Sequence, residues 1–216
     1  MALIDLTIAK VKDDSGKLEA PGDYTANIAE ALKRYSKDRP RLVCADLAGN
    51  AGNDLTLPDN WSEGLSSIIS IEYPIGDVPE TLLDSRDWEL YQTPTVKRLR
   101  LLYEKPAVGA SVRMLYSIMH DEASVPAADL EAVANLAASL CCRQLAAAFG
   151  QTGDSLIQAD VVNYRSKTDE FRRLAESLEG LYKAHLGIKA NDTTSAAMAT
   201  AAPPDSKRTR LTHGRN

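Results

Sequence analysis

The spacing of apolar side chains changes twice along this chain, from helical to alternating and back, and that switch restricts the fold more than any single residue does. In Tyr24–Lys37, Ile28, Leu32 and Tyr35 fall four and three residues apart, on one helix face. Asp23 or Thr25 is suited to cap this helix, and Pro40 closes it. Leu42–Ala45 reads as a short strand, whereas Asn50–Trp61, rich in Gly, Asn, Asp and Pro, reads as a loop with at most an extended piece at Leu55–Leu57. From Ser67 the period drops to two. Ile69, Ile71 and Tyr73 then share a face, as do Leu99, Leu101 and Tyr103, and Val112, Met114, Tyr116 and Ile118; Trp88–Tyr91 is a further short run. Lys105–Gly109 is a turn between the last two strands. Residues of about 67–120 are thus predicted to form a small antiparallel β unit.

From Ser124 the helical period returns. A helix over about 126–149 is expected, with Ser124 as cap, Pro126 in the first turn, and Asp129 and Glu131 near the positive end of its dipole. Glu131, Asn135, Ser139 and Arg143 recur every four residues as one narrow stripe among Ala, Leu, Val and Cys. Most of this helix is therefore buried, in a bundle or partly against a neighbouring subunit. A second helix, about 159–186, carries Tyr164, Thr168, Phe171, Ala175, Leu178 and Tyr182 in steps of four and three and stops at Gly187. At roughly 40 Å it is longer than a small domain is wide, so one end projects or meets another chain. Its other face holds Arg165, Lys167, Glu170, Arg173 and Glu176, the pattern of a solvated flank. The expected fold class is α+β: a helical-bundle body over residues 1–188 with an inserted antiparallel β unit, followed by a flexible basic arm over 189–216. Lys207, Arg208, Arg210 and Arg215 make the arm's end cationic, suited to an acidic groove or to phosphates, or simply to water.

At 216 residues, 44% of them hydrophobic, the chain can bury a sizeable core, and a net charge of −5 gives no global attraction to nucleic acid or anionic lipid. Met1–Lys12 alternates apolar and polar residues and includes Asp5, unlike a signal peptide. The longest apolar region, Leu130–Phe149, is interrupted by Glu131, Asn135 and Arg143, so no membrane span is expected. Cys44, Cys141 and Cys142 contain no C-x-x-C pair, and the histidines are scattered; no metal, disulfide or cofactor is expected, and a reducing compartment fits. Neither G-x-G-x-x-G nor G-x-x-x-x-G-K-[ST] occurs, which removes the nucleotide-binding readings. His120, beside Asp121 and Glu122, is a candidate base, but no G-x-S-x-G elbow accompanies it, and a structural role is the simpler one. Cys141 lies on the most apolar helix and reads as packing, His185 as a cap in the last turn of its helix, and His213 belongs to the arm.

Two stretches are more specific. One runs Ile71-Glu72-Tyr73-Pro74-Ile75-Gly76 through Val78-Pro79 to Trp88. The other runs Leu136-Ala137-Ala138-Ser139 through Cys141-Cys142 to Ala159-Asp160 and Tyr164, then Arg165-Ser166-Lys167-Thr168-Asp169-Glu170-Phe171-Arg172-Arg173, ending at Tyr182 and Gly187. Together with the element order, over roughly residues 20–187, they resemble the head-to-tail connector, or adaptor, proteins of tailed bacteriophages. The resemblance implies a structural virion protein and no enzyme: a dodecameric ring in the neck, beneath the portal protein, whose lumen passes double-stranded DNA. It implies assembly in the host cytoplasm and a tail-side partner such as a stopper or tail terminator. Within it, Lys207, Arg208, Arg210, Leu211 and Arg215 are candidate portal contacts, and Arg165, Lys167, Glu170, Arg173 and Glu176 candidate intersubunit contacts. The rival readings are another neck or tail-completion protein, a nucleic-acid-binding protein acting through the basic arm, and a hydrolase built on His120.

Overall fold

The computed structural model describes residues 2–151 and 158–188, with the side chains of the last helix from Lys167 onward. It begins with a helix that the alternating reading of Met1–Lys12 does not foresee, α1 (Leu3–Val11). Leu3, Thr7 and Val11, one every four residues, form its buried face, and the Asp5 carboxylate accepts the Ala2 N–H at 3.2 Å across the first turn. Nine residues are too few to hold a helix alone, so α1 exists because that face is packed.

Helix α2 (Gly22–Asp38) buries Tyr24, Ile28, Ala31, Leu32 and Tyr35, as its spacing predicts. Neither expected cap forms. Pro21 holds the N-cap position, Asp23 turns back to accept the Glu19 N–H, and Thr25 donates to the Pro21 carbonyl.

Helix α3 (Leu130–Gln151) starts later than its predicted residue 126. Ser124 and Asp121 bond each other's backbone N–H, closing a separate turn, and the Asp129 N–H is taken by the Pro126 carbonyl. The helix therefore begins beyond Asp129, whose carbonyl accepts the Val133 N–H at 3.0 Å. Helix α4 (Gln158–Leu186) ends at Gly187, where φ is +71° and the Ile188 N–H returns to the Lys183 carbonyl, a closure that favours glycine. The two helices run antiparallel, with Phe149 stacked on Phe171 at 5.6 Å near one end and Asp129 bonded to His185 at the other. With 29 residues against 22, α4 is about 10 Å the longer, and its first turns run past the paired stretch. Helix α3 is the one described helix long and apolar enough to cross a membrane, and 67% of that stretch is buried within the protein. Leu136, Ala137 and Tyr182 share one cluster with α2, while Cys141, Cys142 and Leu145 share the next with Val11 and Tyr24.

Between α2 and α3 lie six strands: β1 (Arg41–Ala48), β2 (Asp54–Thr56), β3 (Ile68–Glu72), β4 (Trp88–Gln92), β5 (Lys97–Leu101) and β6 (Ser111–Ile118). They form two antiparallel three-stranded sheets, ordered β1-β6-β3 and β2-β5-β4, around one apolar core. The β region thus starts at Arg41 instead of near residue 67, because β1 pairs with β6 along its whole length, from Arg41 opposite Ile118 to Ala48 opposite Ser111. Lys105–Gly109 joins strands of different sheets and is no hairpin. It presses on Gly49, where a β-carbon would stand 2.4 Å from the Ala107 carbonyl oxygen.

Val112, Met114, Tyr116 and Ile118 face the core as their period predicts, as do Leu99 and Leu101. Tyr103 does not: the strand has ended, and the ring is 78% exposed. In β3 a bulge between Ile68 and Ser70 sets Ile68 opposite Tyr116 and Ile71 opposite Met114, so Ile68, and not Ile69, joins Ile71 on the core face.

Candidate functional site

The described residues contain two kinds of site: buried polar clamps that join the elements, and exposed flanks. The first clamp centres on Asp129, which is 2% exposed at the start of α3. Its Oδ2 accepts from the Tyr35 hydroxyl and from Arg39 Nη1 at 2.7 Å, and its Oδ1 from His185 Nε2 at 2.8 Å. Burial pushes this carboxyl up, but the hydrogen bonds from Tyr35 and His185 and the charge of Arg39 outweigh it and hold it below the ordinary carboxylate value. The tyrosine responds in the opposite sense: burial and the adjoining carboxylate raise the Tyr35 phenol far above its usual value, so it donates throughout the working pH range.

The second clamp centres on Glu179 of α4. It accepts from Arg34 of α2 at 2.9 Å, from Lys183 at 2.9 Å and from Arg143 of α3. Against the upward push of burial, the bonds from Lys183 and Arg34 and the nearby arginine charges keep it below its usual value. Tyr182 donates to Asp38 at 2.6 Å beside it. One helix of the bundle cannot shift without breaking a charge-assisted bond to another.

His120 splices the β module onto the helices. It is 5% exposed; its backbone N–H goes to Ser36 Oγ, Nδ1 meets Ser124 Oγ at 3.2 Å, and Nε2 meets the Arg39 carbonyl at 3.2 Å. Nε2 therefore carries the proton. Burial lowers the affinity of the ring for a second one, only partly offset by these bonds. Both ring nitrogens are used at the joint between β6 and α2, the structural role expected for this residue. The sequence suggested His185 as a cap of its own helix; its Nε2 acts instead across the bundle on Asp129. Burial raises the Cys141 thiol to about 12 and the Cys142 thiol to about 11, consistent with packing, while Cys44 is exposed. Among the described residues no group of three His, Cys, Asp or Glu side chains is placed to hold a metal ion.

The residues predicted for intersubunit contact divide. Lys167, Glu170, Arg173 and Glu176 lie exposed along α4, while the Arg165 side chain is outside the described set. Glu170, Arg173 and Glu176 enter no ion pair among the described residues, although the neighbouring Arg172 and Asp169 pair at 3.5 Å. Lys167 stands 5.4 Å from the Phe149 ring, with Lys17 4.6 Å from the same ring. Beside them a cleft of about 460 Å³ opens between Lys10–Ser15 and α4, lined by Phe171 and Leu174 as well as by lysines and carboxylates. The predicted portal contacts, Lys207, Arg208, Arg210, Leu211 and Arg215, all lie outside the described residues.

The stripe of α3 is a feature whose partners the sequence did not reveal. Glu131 bonds Lys10 of α1 at 3.2 Å and Arg143 bonds Glu179, but Asn135 and Ser139 between them are buried. Periodicity marked the stripe; no local signal named Glu179 or Tyr35 as its neighbours' partners, because those pairings span dozens of residues.

The β module exposes the outer face of its second sheet. There Arg100 forms a bidentate pair with Asp54, at 2.6 and 2.9 Å, and lies 3.4 Å over the Tyr91 ring, while Arg98 reaches Thr56 at 3.2 Å. On the first sheet Arg113 grips Asp46 in the same bidentate way, at 2.9 and 3.1 Å. These cross-strand pairs fix each sheet's pairing from its solvent side.

Clamped helices carrying a two-sheet insertion define an α+β fold. No protein-family model matches the chain, and no curated protein matches it in sequence. Among solved structures, the neck of an empty gene transfer agent particle, computed with C6 symmetry, overlaps 64% of this chain and 76% of its own at 14% identity and a TM-score of 0.30. A chain of the native gene transfer agent virion overlaps 80% of this chain and 89% of its own, at 15% identity and a TM-score of 0.30. The native neck computed with C12 symmetry overlaps 77% and 88%, at 17% identity and a TM-score of 0.29. Overlaps this loose carry no argument by themselves.

Proposed function

We propose that this chain is a structural subunit of a phage-like neck, the head-to-tail adaptor that forms a ring beneath the portal and links head to tail around the DNA. The reading rests on the sequence resemblance over roughly residues 20–187. The observation in the fold that supports it is the flank of α4. Glu170, Arg173 and Glu176 are exposed and enter no ion pair among the described residues, on a 29-residue helix that is clamped along its other face. A rigid helix with charges of both signs left unpaired suits a heterologous contact, in which one flank of each subunit meets a different flank of the next.

In this reading Lys167, Glu170, Arg173 and Glu176, with Arg165, form part of the intersubunit contact, and the arm carrying Lys207, Arg208, Arg210, Leu211 and Arg215 orders on the portal. The β module is free for a tail-side protein, and no step of chemistry is required of the chain.

Cosedimentation with purified portal rings tests the proposal, using the full chain and the chain cut after Pro204, with circular dichroism to check that each is folded. The expected result is a symmetric collar on the portal with the full chain and none with the cut one. Equal binding by both removes the docking-arm assignment. If neither binds the portal, but the full chain binds DNA with a steep salt dependence that the cut chain lacks, the nucleic-acid reading replaces this one. Reversing Arg173→Glu with Glu176→Lys is expected to prevent closed rings while leaving the fold intact.

A further inference from the structure

The edges of the two sheets, β1 and β3 of the first and β2 and β4 of the second, are not equivalent. The outer edge of β3 is covered by the segment after it, through Tyr73 N–H to the Thr81 carbonyl and Leu83 N–H to the Ile71 carbonyl. The second sheet ends on the three-residue β2 and on β4, and β4 pairs only with β5 among the described residues. Which of its backbone groups are used follows from the register. The Leu102 N–H bonds the Asp87 carbonyl and the Thr93 N–H the Val96 carbonyl, so the bonded pairs alternate through residues 87, 89, 91 and 93. Trp88, Leu90 and Gln92 therefore turn their N–H and C=O groups outward, and no described residue takes them.

An open edge usually carries a device that blocks pairing, such as a proline, a lysine or a bulge. Trp88–Gln92 has none of these, and its Leu90 and Tyr91 are exposed at 38% and 37%. Its charge is one-signed: Glu89 and, one step before the strand on the same side, Asp87 enter no ion pair among the described residues, since the facing Arg100 is held by Asp54. The edge asks for an extended segment with an apolar residue on the core side and cations on alternate positions of the other side.

The end of this same chain has that pattern. Arg208-Thr209-Arg210-Leu211-Thr212 contains no proline and alternates its arginines, with Leu211 on the opposite side. We propose that the β4 edge is the resting dock of this chain's C-terminal segment, which adds to the sheet as a fourth strand parallel to β4. Leu211 lies beside Leu90, Arg210 beside Glu89 and Arg208 beside Asp87. With Leu211 beside Leu90 the parallel direction follows from charge, because the antiparallel one then puts Thr212 opposite Glu89. Reach is sufficient: the residues between Ile188 and Arg210 extend to about 70 Å, against about 43 Å for the whole of α4. The dock stands whether or not the arm also meets a portal; if it does, portal binding has to draw the arm off β4.

Amide hydrogen exchange on the full chain tests this. The amides of Leu90 and Gln92, which nothing in the described sheet protects, are expected to exchange at least about tenfold more slowly than open-edge amides. In Arg208→Glu/Arg210→Glu/Leu211→Asp they accelerate by that factor, while Glu89 and Tyr91, bonded to β5, do not change. Glu89→Arg removes the protection, and combining it with Arg210→Glu restores it. Fast exchange at Leu90 and Gln92 in the unmodified chain overturns the proposal. So does protection that survives the arm substitutions, and if that protection rises with protein concentration, the edge is pairing with a second copy's β4 instead.

Discussion

Replacing Asp129 by alanine removes the acceptor on which three elements converge, and the loss can be divided by donor. Tyr35 is fully buried, so its hydroxyl is left without a partner, which costs about 1–3 kcal/mol. The side chains of Arg39 and His185 are 57% and 40% exposed and can turn to water, so each loses less than about 1 kcal/mol. Together Asp129→Ala is expected to destabilise the fold by about 1–5 kcal/mol, a large part of a typical domain's stability. With a urea dependence of about 2 kcal/mol per molar, the midpoint of urea unfolding falls by about 0.5–2.5 M. Asp129→Asn keeps an acceptor for Tyr35 and is expected to lose about half as much. Adding Tyr35→Phe to Asp129→Ala removes the orphaned hydroxyl and recovers part of the loss. A midpoint shift below about 0.3 M for Asp129→Ala, or no recovery in the double variant, refutes the argument, because the hub then bears no load. The folded carboxyl sits below its unfolded value of about 3.9, so its contribution is present above that pH and disappears as pH falls through the lowered value.

Burial holds His120 below its unfolded value of about 6.5, so between those values the unfolded chain binds the proton that the folded one does not. Stability is therefore expected to fall on acidification from about pH 6.5, and His120→Gln should flatten that slope in pH-dependent melts; an unchanged slope assigns it elsewhere. Native thiol titration should label Cys44 at once and Cys141 and Cys142 only on unfolding, whereas rapid labelling of all three would mean that the α3 interface opens readily. Leu101→Ala should cost about 2–5 kcal/mol in the β core, and Tyr103→Ala, two residues on, less than about 0.5 kcal/mol. Comparable losses at both positions would show that Tyr103 has a partner surface.

Local pattern was a sound guide wherever one element's own residues decide its burial. The steps of four and three in Ile28, Leu32 and Tyr35, the alternation of Val112 to Ile118, and the stop at Gly187 all translate directly into structure, because each follows from the period or dihedral of a single segment. The α+β class followed from those periods in order. Pairing was a different matter. That β1 belongs with β6, that β5 and β6 part into different sheets, and that a bulge moves Ile68 to the core are choices among strands far apart in sequence. Helix α1 depends in the same way on a partner that its nine residues cannot supply.

The clamps illustrate the division most sharply. The positions of Asp129, His120 and His185 near element ends are plain in the sequence, and they suggested a partner of the helix dipole, a base and a cap in turn. What a buried polar group does, though, is set by the donors and acceptors brought within about 3 Å of it, and those come from Tyr35, Arg39 and Ser36, dozens of residues away. By itself the sequence determined the periods, the breaks between them and the charged face of α4. Only the tertiary structure decided which strand edges are covered and which carboxylates become hubs, because both depend on which segments fill the space around a group, a long-range property that no local spacing encodes.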